Sequence, residues 1–149
     1  MGTTTFSGPV KAGTIREGTG INTGFTLMAQ SAVIDIVGAT AETTVGVIPA
    51  NSKITEVQLN IVEASNNSAA ATVSVGFSGA TTALLNGTNA KAAALTYSTG
   101  MATASINIGT TDRTVIATYS PGVTADGTQG IPDVTVKYLQ NANLDVTDS

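Results

Sequence analysis

The sequence contains no cysteine, no histidine and no tryptophan. Without cysteine it can form no disulfide and offers no thiolate, so packing and hydrogen bonding alone must hold the fold. Without histidine it lacks the side chain most often used as a general base at neutral pH, and without both it lacks the two preferred zinc ligands. Catalytic triads built on histidine are therefore excluded, and we expect no enzyme, no cofactor and no metal ion.

Carboxylates are the remaining candidates for catalysis, and they are spread thinly, with no Asp-x-Asp or comparable cluster. They include Glu17, Asp35, Glu42, Glu56, Glu63, Asp112, Asp126 and Asp133. An enzyme would have to be a carboxylate-based hydrolase in which two of these acids converge in a cleft with shifted pKa values. A calcium site is conceivable in residues 124–133, where Asp126, Asp133 and loop carbonyls could supply oxygen ligands. An Asp-Gly turn before a strand explains the same residues.

Charge is scarce as well, at 11% of residues, whereas soluble domains average about 25%. The polar surface must therefore come from threonine, serine, asparagine and glutamine. Such a surface can be buried against a partner without desolvating many ions, which favours a protomer of an assembly over a soluble monomer with a threonine-rich face. The net charge is −4 and the six basic residues are scattered singly, so we expect no nucleic-acid binding.

Aromatic residues make up only 4% of the chain. A ligand-binding or adhesion module, the alternative from another functional class, normally presents grouped exposed rings or an acidic metal loop, and neither is evident. No apolar run approaches the roughly 18 residues of a membrane span, and the N-terminus has neither the basic start nor the apolar run of a signal peptide. We therefore expect no membrane association and no export.

Two regions differ in their pattern. Residues 1–30 are rich in glycine and show no sustained periodicity, which predicts an extended N-terminal arm; a disordered tail with an N-terminal strand is the alternative. Residues 31–149 alternate between apolar and polar side chains in several runs, which is typical of half-buried strands. The clearest run is Lys53 to Glu63, where Val57, Leu59 and Ile61 would face the core.

Further strands are predicted at 32–37, 43–48, 71–77, 103–108, 113–119 and 133–139. The strand at 71–77 is expected to form a hairpin-like pair with the strand before it, and residues 89–95 are the one helical candidate, too short to be stable alone. Turn-forming residues separate these runs, among them Asn86-Gly87 and the loop 124–130, which we expect to be exposed and mobile. Short strands at close spacing predict an all-β fold, a single-domain antiparallel β-sandwich.

Three segments resemble bacteriophage head decoration or capsid-stabilising (cement) proteins. The segment Val47-Ile48-Pro49-Ala50-Asn51-Ser52-Lys53-Ile54-Thr55-Glu56-Val57 is similar to the I-P-A-G-S-x-I-x-x-V stretch that opens their central hairpin, although Asn51 stands where glycine is common. Residues 4–11 resemble their N-terminal segment, and residues 132–139 resemble their closing strand. The resemblance implies a jelly-roll-like body, often oligomeric, that binds a capsid surface and has no catalytic residues.

The function that this resemblance implies is a virion structural protein that binds the outside of a phage capsid and stabilises it, after assembly in the host cytoplasm. Its partners would be the major capsid protein and further copies of itself, as a homotrimer, with no small-molecule substrate. The arm would cross onto neighbouring subunits through three apolar anchors and two bases that pair with coat carboxylates: Phe6, Val10, Ile15, Lys11 and Arg16. A tail, fibre or head-spike component is the alternative within the virion.

Overall fold

The computed structural model describes residues 25–36, 38–98 and 101–141. Within these residues the chain forms eight strands and one helical turn, so the predicted all-β class is confirmed. The elements are β1 Phe25–Val33, β2 Ala41–Ile48, β3 Lys53–Glu63, β4 Thr72–Phe77, β5 Ala80–Asn89, β6 Ala94–Tyr97, α1 Thr103–Ile106, β7 Arg113–Ser120 and β8 Ile131–Asn141.

The strands form two antiparallel sheets of four strands each. One sheet has the order β1-β8-β3-β6 and the other has the order β2-β7-β4-β5. The chain crosses from one sheet to the other after every strand except β4, which is followed by β5 in the same sheet. The first strand pairs with the last, the second with the seventh, the third with the sixth and the fourth with the fifth. This is the antiparallel β-sandwich that the sequence predicts.

The hydrophobic core lies between the two sheets, because every second residue of the central strands points inward. Val57, Leu59 and Ile61 on β3 are at most 1% exposed, as their alternation predicts. The facing positions of the other three central strands are buried in the same way: Val73, Val75 and Phe77 on β4, Val115, Ala117 and Tyr119 on β7, and Val134, Val136 and Tyr138 on β8. Two sheets with one apolar face each can bury those faces only against one another.

Two predicted strands need correction. Residues 103–106 form the helical turn α1, and only Asn107 makes a bridge, to Lys53. The backbone hydrogen bonds of α1 are local, from Ile106 N–H to Ala102 O and from Asn107 N–H to Thr103 O. The strand predicted at 32–37 ends at Val33. Ile34 still donates its N–H to the carbonyl of Pro132 on β8, and Ile34 and Ile36 are buried beyond the end of the strand.

The predicted hairpin of β3 with β4 and the predicted helix at 89–95 are wrong. β3 and β4 lie in different sheets, and β4 pairs with β5 and β7. Asn89 ends β5, and Ala94 and Leu95 begin β6, so strand pairing overrides the helical propensity of the alanines. Asn86-Gly87 is a bulge inside β5, where Gly87 has φ 60° and donates its N–H to Ser74 Oγ.

The predicted arm overlaps the sandwich. Residues 25–30 belong to β1 and pair with β8 in one uninterrupted register from Phe25 opposite Asn141 to Val33 opposite Asp133. The boundary expected at residue 30 therefore falls inside a strand. The rest of the predicted arm, residues 1–24, lies outside the described residues.

Candidate assembly surface

The outer faces of the two sheets differ in character. The outer face of β2-β7-β4-β5 carries mostly hydroxyl side chains, such as Thr44, Thr72, Ser74, Thr114 and Thr118. The outer face of β1-β8-β3-β6 is more varied, because strand pairing sets rows of different side chains across it. One row is Ser31, Thr135, Gln58 and Tyr97, and the next is Val33, Asp133, Asn60 and Leu95. This second face is the candidate surface for assembly.

Large apolar side chains lie at both margins of that face. On β1, Phe25 is 55% exposed, Leu27 is 63% exposed and Val33 is 64% exposed. On β6, Leu95 and Tyr97 are also exposed. Single exposed apolar residues need no explanation, but several on one strand mark a surface whose exposure to water is unfavourable and whose burial against a partner is favourable.

The middle of the face is polar and holds one ion pair. Lys137 Nζ on β8 donates to Glu56 Oε1 on β3 at 2.6 Å, and Thr55 Oγ1 donates to the Lys137 carbonyl. The hydrogen bond to Glu56, and then the charge of Glu56, raise the pKa of Lys137 above its ordinary value. Both side chains are about one third exposed, so the pair contributes little to stability but fixes the pattern that a partner would meet.

One end of the sandwich is closed by Asn67, whose side chain joins two loops. Its Nδ2 donates to the carbonyls of Ala70 and Pro121, and its Oδ1 accepts the N–H groups of Asp126 and Gly127. The residue is 1% exposed, so all four of the strong hydrogen bonds open to a buried amide are made within the protein. Asn67 is therefore a structural residue.

Asn66 and Ser68, which flank Asn67 in the sequence and are exposed, also hold the loop 124–130. Asn66 Oδ1 accepts the N–H groups of Thr128 and Gln129, while its Nδ2 donates to Thr128 Oγ1. Asp126 Oδ1 accepts the N–H of Ser68 at 2.8 Å. The side-chain hydrogen bond of Ser68, and then this backbone bond, lower the pKa of Asp126 below its ordinary value. The loop 124–130 is exposed at most positions, as expected, but hydrogen bonds fasten it to residues 66–68.

These contacts bear on the two roles considered for the acidic residues, catalysis by paired carboxylates and the binding of calcium. Asp126 accepts a hydrogen bond from Ser68, whereas Asp133 lies on β8 opposite Asn60, so the structure does not bring the two carboxylates together as ligands of one calcium ion. Asp112 Oδ1 accepts the N–H of Ala50 and so fastens the turn between β2 and β3. Within the described ranges no three acidic, histidine or cysteine side chains come close enough to hold a metal ion together. These acidic residues therefore hold turns in place by hydrogen bonds or lie on the surface.

A groove of about 530 Å³ runs between the edge strands β5 and β6. Its lining includes Thr82, Leu84, Asn86, Thr96, Tyr97 and Met101. None of these side chains is an acid or a base that could act in catalysis near neutral pH. The groove therefore gives no support to an enzyme.

The predicted partner-contact residues Phe6, Val10, Lys11, Ile15 and Arg16 lie outside the described residues. The exposed apolar residues of β1 are not among the predicted contact residues. Residues 25–30 fall in the predicted arm because the run Phe-Thr-Leu-Met-Ala-Gln lacks a regular alternation of apolar and polar side chains. The available signal was the nine residues from 25 to 33 without charge, glycine or proline. Among the described residues, no helix has the length and apolar character needed to span a bilayer.

The comparisons with known proteins concern the fold. No family model matches the sequence, and the search of curated proteins gave no match. Among solved structures, a chain of the capsid asymmetric unit of cyanophage Pam1 is 18% identical with a TM-score of 0.59, covering 86% of this chain and 93% of that one. A chain of the Ralstonia phage GP4 capsid is 18% identical with a TM-score of 0.59, covering 79% and 84%.

A third similar chain comes from the acidic stable capsid structure of Helicobacter pylori bacteriophage KHP30. It is 17% identical, has a TM-score of 0.57, and the match covers 76% of this chain and 87% of that one. The three likenesses span most of every chain involved, so they concern the whole sandwich and not a shared fragment. The chain has the β-sandwich fold of chains found in phage capsid structures.

Proposed function

We propose that the protein is a structural component of a phage virion that binds the outer surface of the capsid and stabilises it. The observation that carries this proposal is the likeness, over most of their length, to chains in three different phage capsid structures. A fold alone does not specify a function, so the surface chemistry must agree with it. It does, because the described acids and polar groups serve the fold and the outer face offers apolar margins.

The decoration role rests on the character of the surface. A weakly charged sandwich with exposed Phe25, Leu27, Leu95 and Tyr97 can bury area against coat subunits with little desolvation of ions. Binding across the borders between coat subunits would oppose their separation under internal pressure. Homotrimers of the sandwich, seated where three coat subunits meet, would stabilise three borders at once.

Residues 1–24 supply the second part of the proposed contact. An extended segment can add a strand to an exposed sheet edge and gain main-chain hydrogen bonds. Phe6, Val10 and Ile15 would fill apolar pockets of the coat, with Lys11 and Arg16 beside coat carboxylates. Each buried apolar anchor contributes on the order of 1.5–3 kcal/mol, roughly tenfold in affinity or more, so losing all three would weaken binding by roughly a thousandfold or more.

The test is binding of the purified protein to undecorated phage heads. We expect the full chain to cosediment with heads and to raise the temperature at which they release DNA. A triple variant, F6S with V10S and I15S, should bind about a thousandfold more weakly or worse. The matched control, T4A with T14A and T19A, changes three polar residues of the same segment and should bind like the full chain.

The outcomes separate the parts of the proposal. Equal binding by the triple variant and its control would remove the contribution of residues 1–24 and leave the capsid role intact. Failure of the full chain to bind heads would overturn the capsid role itself. Cryo-electron microscopy of the particle separates a head component from a tail, fibre or spike component, because density at the tail would contradict decoration.

A further inference from the structure

The sandwich has four edge strands, and three of them are protected against pairing with another chain. A free strand edge presents unpaired N–H and C=O groups and is a template for association unless charge, bulges or shortness blunt it. β2 carries the exposed Glu42 and a bulge at Thr44–Gly46. β5 has two register shifts against β4. β6 is only four residues long.

β1 is the exception. It is nine residues long, contains no charged residue and no proline, and pairs with β8 without a register shift. Within the part of the chain that the structure describes, no strand pairs with its other edge. Another strand can therefore form main-chain hydrogen bonds along the length of this edge, and no charge or proline in β1 opposes them.

The side chains of β1 indicate the kind of partner. Phe25, Leu27 and Val33 are exposed on the outer face, and Met28, directed to the other face, is also 40% exposed. An uncharged partner strand with apolar side chains on its outer face would therefore fit this edge. β1 itself has this composition, because Phe25, Leu27 and Val33 lie on its outer face and it carries no charge.

We propose that β1 pairs with β1 of a second copy of this chain, antiparallel and about a two-fold axis at Ala29. This register is the one that pairs all nine residues while keeping each face continuous, since residues opposite one another must share a face. It sets Phe25 opposite Val33 of the second copy twice by symmetry, an aromatic–β-branched pair of the kind that stabilises sheets. No charge lies opposite another in this register.

The contact joins two four-stranded sheets into one sheet of eight strands across the pair. It goes beyond the proposed function, because it does not depend on binding to a capsid. It also uses only one edge of the sandwich, so a three-fold contact made elsewhere on the surface would leave it free. Trimers joined at such two-fold contacts would form a continuous network.

Single cysteines test the pairing, because the natural chain has none. Residues opposite one another in an antiparallel pair have Cα atoms about 4.5–5.5 Å apart, within the range that a disulfide spans. Ala29→Cys places a cysteine opposite its own copy and should form a covalent dimer on mild oxidation. The matched control Ser31→Cys, on the same exposed face, would be about 13 Å from its copy and should stay unlinked.

A mixing experiment fixes the register. Leu27 lies opposite Ser31 of the second copy, so Leu27→Cys alone and Ser31→Cys alone should each stay unlinked, while a mixture of the two should give the linked dimer. Non-reducing electrophoresis distinguishes these species. Equal linking by Ala29→Cys and Ser31→Cys would show random collision and overturn the proposal, as would the absence of linking by Ala29→Cys.

A charge at the axis gives an independent measurement. Ala29→Lys places two like charges directly opposite one another, whereas Ser31→Lys places a lysine opposite Leu27. Sedimentation velocity over a series of concentrations should show that Ala29→Lys loses the two-fold association of the natural chain, with unchanged circular dichroism confirming the fold. An Ala29→Lys variant that associates like the natural chain would exclude this edge. Association of the coat or of residues 1–24 with β1 would appear as an unlinked Ala29→Cys chain and equally contradicts self-pairing.

Discussion

At the scale of single residues, the most consequential polar side chain is Asn67. It is buried, and its amide bonds four backbone groups in two loops, at distances of 2.8–3.2 Å. Removing a buried partner leaves the groups it satisfied without hydrogen bonds, which costs more than the net value of the bonds themselves. Asn67 therefore stabilises the end of the sandwich where residues 64–71 and 121–130 cross between the sheets.

Replacing Asn67 with alanine should lower the free energy of unfolding by roughly 2–4 kcal/mol. The neighbouring Asn66→Ala is the matched control, because Asn66 holds the same loop from an exposed position, where water can replace its bonds. Its cost should be about 1 kcal/mol or less. Urea unfolding measured by circular dichroism compares the two, and equal losses would show that burial of Asn67 adds nothing.

Asp126 makes this same loop sensitive to acid. The side-chain hydrogen bond of Ser68 to its carboxylate, and then the bond from Ser68 N–H, lower the pKa of Asp126 in the folded state. A lowered folded pKa means that the stabilisation is complete above the ordinary aspartate pKa of about 3.9 and is lost as the pH falls through the lowered value. The free energy of unfolding should therefore decrease with falling pH below about pH 4.

The variant Asp126→Asn isolates this contribution. Asparagine keeps an oxygen acceptor for Ser68 but does not titrate, so its unfolding free energy should depend less on pH between about 4 and 2 than that of the natural chain. Urea titrations at several pH values measure both slopes. Identical slopes would assign the acid sensitivity to other carboxylates.

At the scale of elements, the sequence predicts the central strands well and three of the four edge strands poorly. β3 is found from Lys53 to Glu63, as predicted, because one of its faces is buried against the core and its alternation is strict. The core positions of β4, β7 and β8 follow for the same reason. Edge strands bury less, so their sequences alternate less: of the four, only β2 is predicted near its observed bounds, most of β1 falls in the predicted arm, and neither β5 nor β6 is predicted.

Two glycines inside strands are required by contacts with other segments. At Gly76 in β4, the start of β5 folds back so closely that a side chain would overlap the backbone of Ala80 and Thr81. Gly46 leaves room for Gln30, whose Nε2 donates to Tyr138 Oη in its own sheet and to Val47 O in the other sheet. Neither requirement is visible in local sequence. The candidate surface on β1 was missed because it depends on which strand ends at a sheet edge.

At the scale of the whole molecule, the topology joins residues that are far apart in sequence. β1 pairs with β8, so Phe25 lies opposite Asn141, and β2 pairs with β7, so Ala41 lies opposite Tyr119. Both sheets need such long-range pairs before either apolar face is covered. The loss of chain entropy precedes most of the burial that compensates for it, which slows folding.

We therefore expect refolding on the time scale of milliseconds to seconds, in the range of all-β sandwiches and much slower than helical bundles of similar size. Stopped-flow dilution from urea, followed by the fluorescence of the buried Tyr119 and Tyr138, measures the rate.

Two variants of the central strands should affect this rate differently. The ion pair of Glu56 with Lys137 joins β3 and β8, and because both side chains are partly exposed, Glu56→Gln should change the refolding rate little. Val136→Ala opens a cavity between the sheets, on β8, which pairs with both β1 and β3. It should accelerate unfolding, and it should also slow refolding if β8 is already paired in the folding transition state. Refolding complete within microseconds would mean that a local structure, and not the pairing of the chain's two ends, limits the formation of this sandwich.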